Sequence, residues 1–152
     1  MPLNATYAHT NITVRDFDRM VAFYRDVFGC TPTMETETLT GDWVGDITGV
    51  AEAQLRVLHL RLPGGGADGP TLEIIAYDDG DEAQGPKADR PGFGHIAFRV
   101  PDVEAARQAV LGAGGGAVGE IVSQDMGARG RVTETYVTDP EGNIIELQCW
   151  SA

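Results

Sequence analysis

The sequence predicts an α+β fold of two tandem βαβββ modules, forming a curved mixed sheet with its helices outside. Three observations predict it. The stretch from His9, HTNITVRDFDRMVAFYRDVFG, overlies the stretch from His95, HIAFRVPDVEAARQAVLGAGG, without a gap at an offset of 86. Each copy opens with apolar residues at period two and continues at helical period. Strand-like segments separated by Gly, Pro, Asp and Asn then complete each copy.

In the first copy Thr10, Ile12 and Val14 share one face of a strand, and His9, Asn11 and Thr13 share the other. Asp16 is placed to cap a helix over 16–28, because Phe17, Met20, Val21, Tyr24 and Phe28 recur at helical spacing and Gly29 follows as a stop. MET (34–36), VLHLRL (57–62) and TLEIIAY (71–77) are strand candidates, and WVGDITGV is open between a loop and a single helical turn.

In the second copy Ile96, Phe98 and Val100 oppose His95, Ala97 and Arg99 across the strand, and Asp102 opens a helix over 102–112 with Val103, Ala106 and Val110 on its apolar stripe. GEIVSQ, RVTETYVT and NIIELQCW follow as strands, the last two joined by the turn residues DPEGN. Module one thus covers about 5–77 and module two about 93–150, with 78–92 as a linker inside a single domain of 1–152. Half a chain of this length has too few apolar residues to cover its own sheet.

Composition narrows the function classes. A formal charge of −12 opposes the phosphate neutralisation that nucleic acid or an anionic membrane requires, which leaves a small molecule as the expected partner. Cys30 and Cys149 lack C-x-x-C spacing and cannot build a disulfide framework. The first fifteen residues hold no apolar signal core and no run approaches membrane-spanning length, so a soluble, cytoplasmic protein is expected.

The last strands of the copies also align: Leu72, Glu73 and Ile74 match Ile145, Glu146 and Leu147. Each copy therefore sets a His on its first strand and a Glu on its last, both on the face away from the helix. Singly, each has a plain structural explanation: a strand His is usually hydrogen-bonded and a strand Glu usually faces solvent. Four such residues at repeat-related positions are hard to obtain by accident. A carboxylate in a β-branched run costs several kcal/mol if buried unpaired, roughly, and a cation relieves both Glu73 and Glu146. Two neutral imidazoles with two carboxylates neutralise one divalent ion and suit Ni, Co, Zn, Mn or Fe(II). His9, Glu73, His95 and Glu146 are the expected metal ligands. His59, with no visible counterpart in the second copy, is assigned to a strand surface or a substrate contact.

The stretches RPGFGHIAFRVPDV and YVTDPEGNIIELQ, with the His9 segment, resemble the vicinal oxygen chelate superfamily over residues 5 to 150. That superfamily includes glyoxalase I, methylmalonyl-CoA epimerase, extradiol dioxygenases and fosfomycin- and bleomycin-resistance proteins. The resemblance implies paired βαβββ modules around one metal. His/Glu/His/Glu occupancy is similar to bacterial-type glyoxalase I; epimerases commonly carry Gln where this chain has Glu73, and dioxygenases and fosfomycin enzymes use two His and one Glu. Where glyoxalase I tends to have an Arg four residues after its first His, this chain has Thr13, and Arg99 holds the matching place in the second copy. Asn11, Thr13 and Arg99 are the candidate substrate-binding residues.

The implied activity is that of a divalent-metal-dependent lyase or isomerase acting through a metal-chelated enediolate or enolate. Either Glu73 or Glu146 would be the base, with Glu146 preferred because it lies in the best-matched motif. The alternatives are an Fe(II) extradiol-type dioxygenase and a ligand-sequestering resistance protein. Superfamily members often dimerise and an edge strand needs covering, so a homodimer is expected.

Overall fold

The computed structural model describes residues 3–80, 85 and 87–151. The expected linker, 78–92, therefore lies partly outside the described residues, at 81–84 and 86. The chain divides into two compact units, 1–81 and 82–152.

In the first unit the strands are β1 (His9–Thr13), β2 (Thr31–Pro32), β3 (Glu37–Leu39), β4 (Leu55–Arg61) and β5 (Thr71–Tyr77), in the order β1-β5-β4-β2, with β3 also on β4. β1 runs parallel to β5, and β4 antiparallel to it. The second unit has β6 (Ile96–Arg99), β7 (Gly116–Ala117), β8 (Val122–Asp125), β9 (Arg131–Thr138) and β10 (Ile144–Ser151) in the order β6-β10-β9-β7, with β8 on β9. The two five-stranded mixed sheets have the same topology, strand for strand, as the duplication requires.

The repeat-related helices are α1 (Phe17–Phe28) and α3 (Val103–Gly112). Asp16 accepts from Arg19 N at 3.1 Å and Asp102 from Ala105 N at 3.0 Å, so each helix begins where its acidic cap satisfies a free amide. α1 ends at Gly29, whose φ of 69° is readily adopted only without a Cβ. Met20 and Tyr24 of α1 are fully buried, as are Leu60, Leu72 and Ile74 of the sheet; Val110, Ile145 and Leu147 are buried in the second unit. Burial of this kind contributes about 1.5–3 kcal/mol per large apolar side chain.

The stretch WVGDITGV, open between loop and helix in the sequence, is helical as far as Thr48, in a third helix, α2 (Asp42–Thr48). Its Val44 packs with Ala53, Leu55 and Val57, against Leu39, Ile75 and Tyr77. By register Leu55, Val57, Ile75 and Tyr77 share the sheet face that carries Glu73, so α2 covers one end of that face. The expected MET strand falls instead at β3, three residues further on, where it pairs with β4. GEIVSQ is strand only from Val122.

Candidate metal centre

Strand register sets the two His–Glu pairs. In the first unit His9 lies beside Thr71 on the parallel pair β1–β5, so Glu73, two residues along, projects from the same face. In the second unit Ile96 lies beside Ile145, which places His95, immediately before β6, in the same diagonal relation to Glu146. The neighbours of each Glu along its strand are buried on the opposite face: Leu72 and Ile74 in one unit, Ile145 and Leu147 in the other.

His9 Nε2 is 3.5 Å from Glu73 Oε2, and His95 Nε2 is 2.9 Å from Glu146 Oε2. The carboxylates are mostly shielded, 16% and 13% exposed, while the imidazoles remain open at 41% and 33%. Two donors on one ion, each about 2.1 Å from it and about 90–110° apart, are about 3.0–3.4 Å from one another. Within each pair the donor types suit a common divalent ion, and the separations of 3.5 and 2.9 Å lie at the two edges of that range. At the shorter distance His95 is in direct polar contact with Glu146 and keeps that carboxylate partnered. Among the described residues no group of three or more His, Cys, Asp or Glu side chains is arranged to hold an ion by itself. The donors come as pairs, one in each unit.

The second oxygen of each Glu has its own side-chain partner. In the second unit Gln148 Nε2 donates to Glu146 Oε1 at 2.8 Å, and the Trp150 indole N–H donates in turn to Gln148 Oε1. These three residues alternate along one face of β10, so the strand's period of two builds the relay. In the first unit the partner is His59: its Nε2 is 3.1 Å from Glu73 Oε1, and its Nδ1 is 2.8 Å from Thr71 Oγ1. Its ring meets that of His9 edge-on with centroids 5.1 Å apart.

His59 does have a counterpart. It lies opposite Glu73 across β4–β5, and Tyr136 lies opposite Glu146 across β9–β10. Fourteen residues separate the first two and ten the second two, because PGGGADG makes a longer connection than DPEGN, and an ungapped overlay misses the match. The Tyr136 ring packs against that of His95, tilted, with centroids 4.9 Å apart. Burial, with the nearby charges of Glu146 and Glu134, pushes its phenol above the ordinary value, so it remains neutral.

The candidate substrate contacts are divided between the units. Asn11, opposite Glu73 in register, donates from its side-chain amide to the Glu73 and Ile12 carbonyls, and the Thr13 hydroxyl donates to Asn11 Oδ1 at 3.3 Å. Arg99 is exposed at the end of β6, opposite Gln148. Cys30 and Cys149 are free thiols. Among the described residues no helix is long and apolar enough to cross a membrane.

The family model described as Glyoxalase/Bleomycin resistance protein/Dioxygenase superfamily matches residues 6–147. A probable lactoylglutathione lyase of Vibrio cholerae serotype O1 is 29% identical over 147 residues, covering 95% of this chain and 90% of its own. Among solved structures, a glyoxalase family protein from Bacillus cereus superposes with a TM-score of 0.80 at 18% identity, covering 100% of this chain and 97% of that one. A genomically encoded fosfomycin resistance protein from Listeria monocytogenes does so with a TM-score of 0.59 at 15% identity over 98% and 96% of the two chains. At such identities the two structures show the fold alone.

Proposed function

This chain belongs to the Glyoxalase/Bleomycin resistance protein/Dioxygenase superfamily, and from that premise we propose that it is a divalent-metal-dependent lyase or isomerase of the lactoylglutathione lyase kind. The observation that carries the reading is the presence in each unit of a His–Glu pair at ligand spacing. The full set of His9, Glu73, His95 and Glu146 would hold one ion, with two carboxylate charges to balance it. The relatives named as lactoylglutathione lyases support the lyase reading over oxygenation or sequestration.

When bound, the ion supplies Lewis-acid stabilisation of the negative charge that develops on a substrate oxygen. The chain's own residues do the rest. Glu146 takes the proton from the carbon beside the carbonyl and returns it to the neighbouring carbon, a transfer worth roughly 10²–10⁴ in rate. Gln148, held by Trp150, fixes Glu146 Oε1, so Oε2 would be the ligand of the resting site and the proton acceptor once substrate takes its place. Asn11, Thr13 and Arg99 orient the substrate. Its class is an α-hydroxycarbonyl thiol adduct, and Thr13 in place of an arginine alters how the thiol portion is held.

Metal-loaded protein offered thiol adducts of 2-oxoaldehydes, acyl-CoA epimers and catechols in parallel tests the reading. Thioester formation from the first supports it; oxygen uptake with catechols instead assigns the chain to oxygenation. A homodimer completes the proposal, and sedimentation showing only the 16.2 kDa chain mass at micromolar concentration would remove it.

A further inference from the structure

We propose that His59 is a positioning residue for Glu73, holding one carboxylate oxygen so that the other is presented toward the ion; the inference rests on the metal reading above. The ring spans two partners: its Nε2 is 3.1 Å from Glu73 Oε1, and its Nδ1 is 2.8 Å from the Thr71 hydroxyl oxygen. Both ring nitrogens are engaged, and the carboxylate's other oxygen, Oε2, faces His9 at 3.5 Å.

Two observations separate this role from ligation. His59 approaches Glu73 Oε1 while His9 approaches Oε2, so the two rings address different oxygens of one carboxylate. And the duplicated fold places Tyr136, not a second imidazole, at the position corresponding to His59. In the second unit the amide of Gln148 anchors the equivalent oxygen of Glu146. The same task is thus performed by a ring from the neighbouring strand in one unit and by an amide from the same strand in the other. The two carboxylates are therefore not interchangeable, although the duplication makes them look so.

The test measures Co²⁺ affinity by competition with a chromophoric chelator, with the absorption spectrum of the saturated protein as a second readout. Wild type is compared with His59→Phe, His59→Gln, Thr71→Val and His9→Gln. Losing an outer partner of a ligand typically costs about 10–100-fold in metal affinity, and that loss is expected for His59→Phe. His59→Gln, whose amide can donate in place of Nε2, is expected to restore most of it, and both should keep the wild-type Co²⁺ spectrum at saturation. Thr71→Val, which leaves the ring in place but unoriented, should weaken binding by a smaller factor and carries the test if His59→Phe does not fold.

Wild-type affinity in His59→Phe and Thr71→Val would overturn the inference while leaving the metal reading intact. A His59→Gln variant as weak as His9→Gln, with an altered spectrum, would make His59 a ligand and overturn it too. Failure of the wild type itself to bind Co²⁺ would remove the metal reading and the inference together.

Discussion

His95 Nε2 lies 2.9 Å from Glu146 Oε2, while Gln148 holds Glu146 Oε1 at 2.8 Å. Each oxygen of this carboxylate has one partner, on a strand whose adjacent residues Ile145 and Leu147 are fully buried. Replacement by an amide of the same shape should leave the fold in place while removing the proton acceptor and weakening the ligand set. With metal in excess, Glu146→Gln is expected to abolish exchange of the substrate's α-proton with solvent deuterium. Exchange that survives there and vanishes in metal-loaded Glu73→Gln would reverse the two carboxylates' roles.

A second prediction concerns packing behind the site. A Cβ at Gly115 would stand 2.3 Å from the Thr138 carbonyl oxygen and 2.6 Å from Val110 Cγ1, where the chain leaves α3 for β7. Gly115→Ala should therefore lower unfolding free energy by about 1–3 kcal/mol in denaturant titration. Gly112→Ala, with open space around the new methyl, should change it by less than about 1 kcal/mol.

Alkaline stability should report on Cys30. Burial pushes its thiol from an ordinary 9.0 to about 11. Below pH 9 both folded and unfolded forms keep the proton and the residue has no effect; between 9 and 11 the unfolded chain loses it first, so stability falls as pH rises. Cys30→Ala should flatten that part of the stability profile. A profile equally steep with and without the thiol would show that other groups cause the loss.

Much of this was legible in the sequence, for physical reasons that can be named. The caps Asp16 and Asp102 precede apolar residues at helical spacing, so α1 and α3 begin within one residue of expectation. The two His–Glu pairs align because register and strand period are kept across the duplication. α2 was not legible: only Val44 is buried in it, Trp43 and Ile47 are exposed, and Gly45 interrupts its seven residues, so no apolar stripe marks it. β3 is three residues long and defined by pairing with β4 rather than by its own pattern. The role of His59 was hidden because unequal hairpin connections shift it out of alignment with Tyr136. Gln148 and Trp150, by contrast, follow Glu146 at every second residue and could have been found by extending the strand's alternation.

The central claim is that His9, Glu73, His95 and Glu146 together bind one divalent ion. Elemental analysis of protein purified without added metal, wild type beside Glu146→Gln and His9→Gln, tests it most directly. One ion per wild-type chain and a large loss in both variants is the predicted result. Equal metal content in wild type and Glu146→Gln would contradict it, by removing Glu146 from the ligand set.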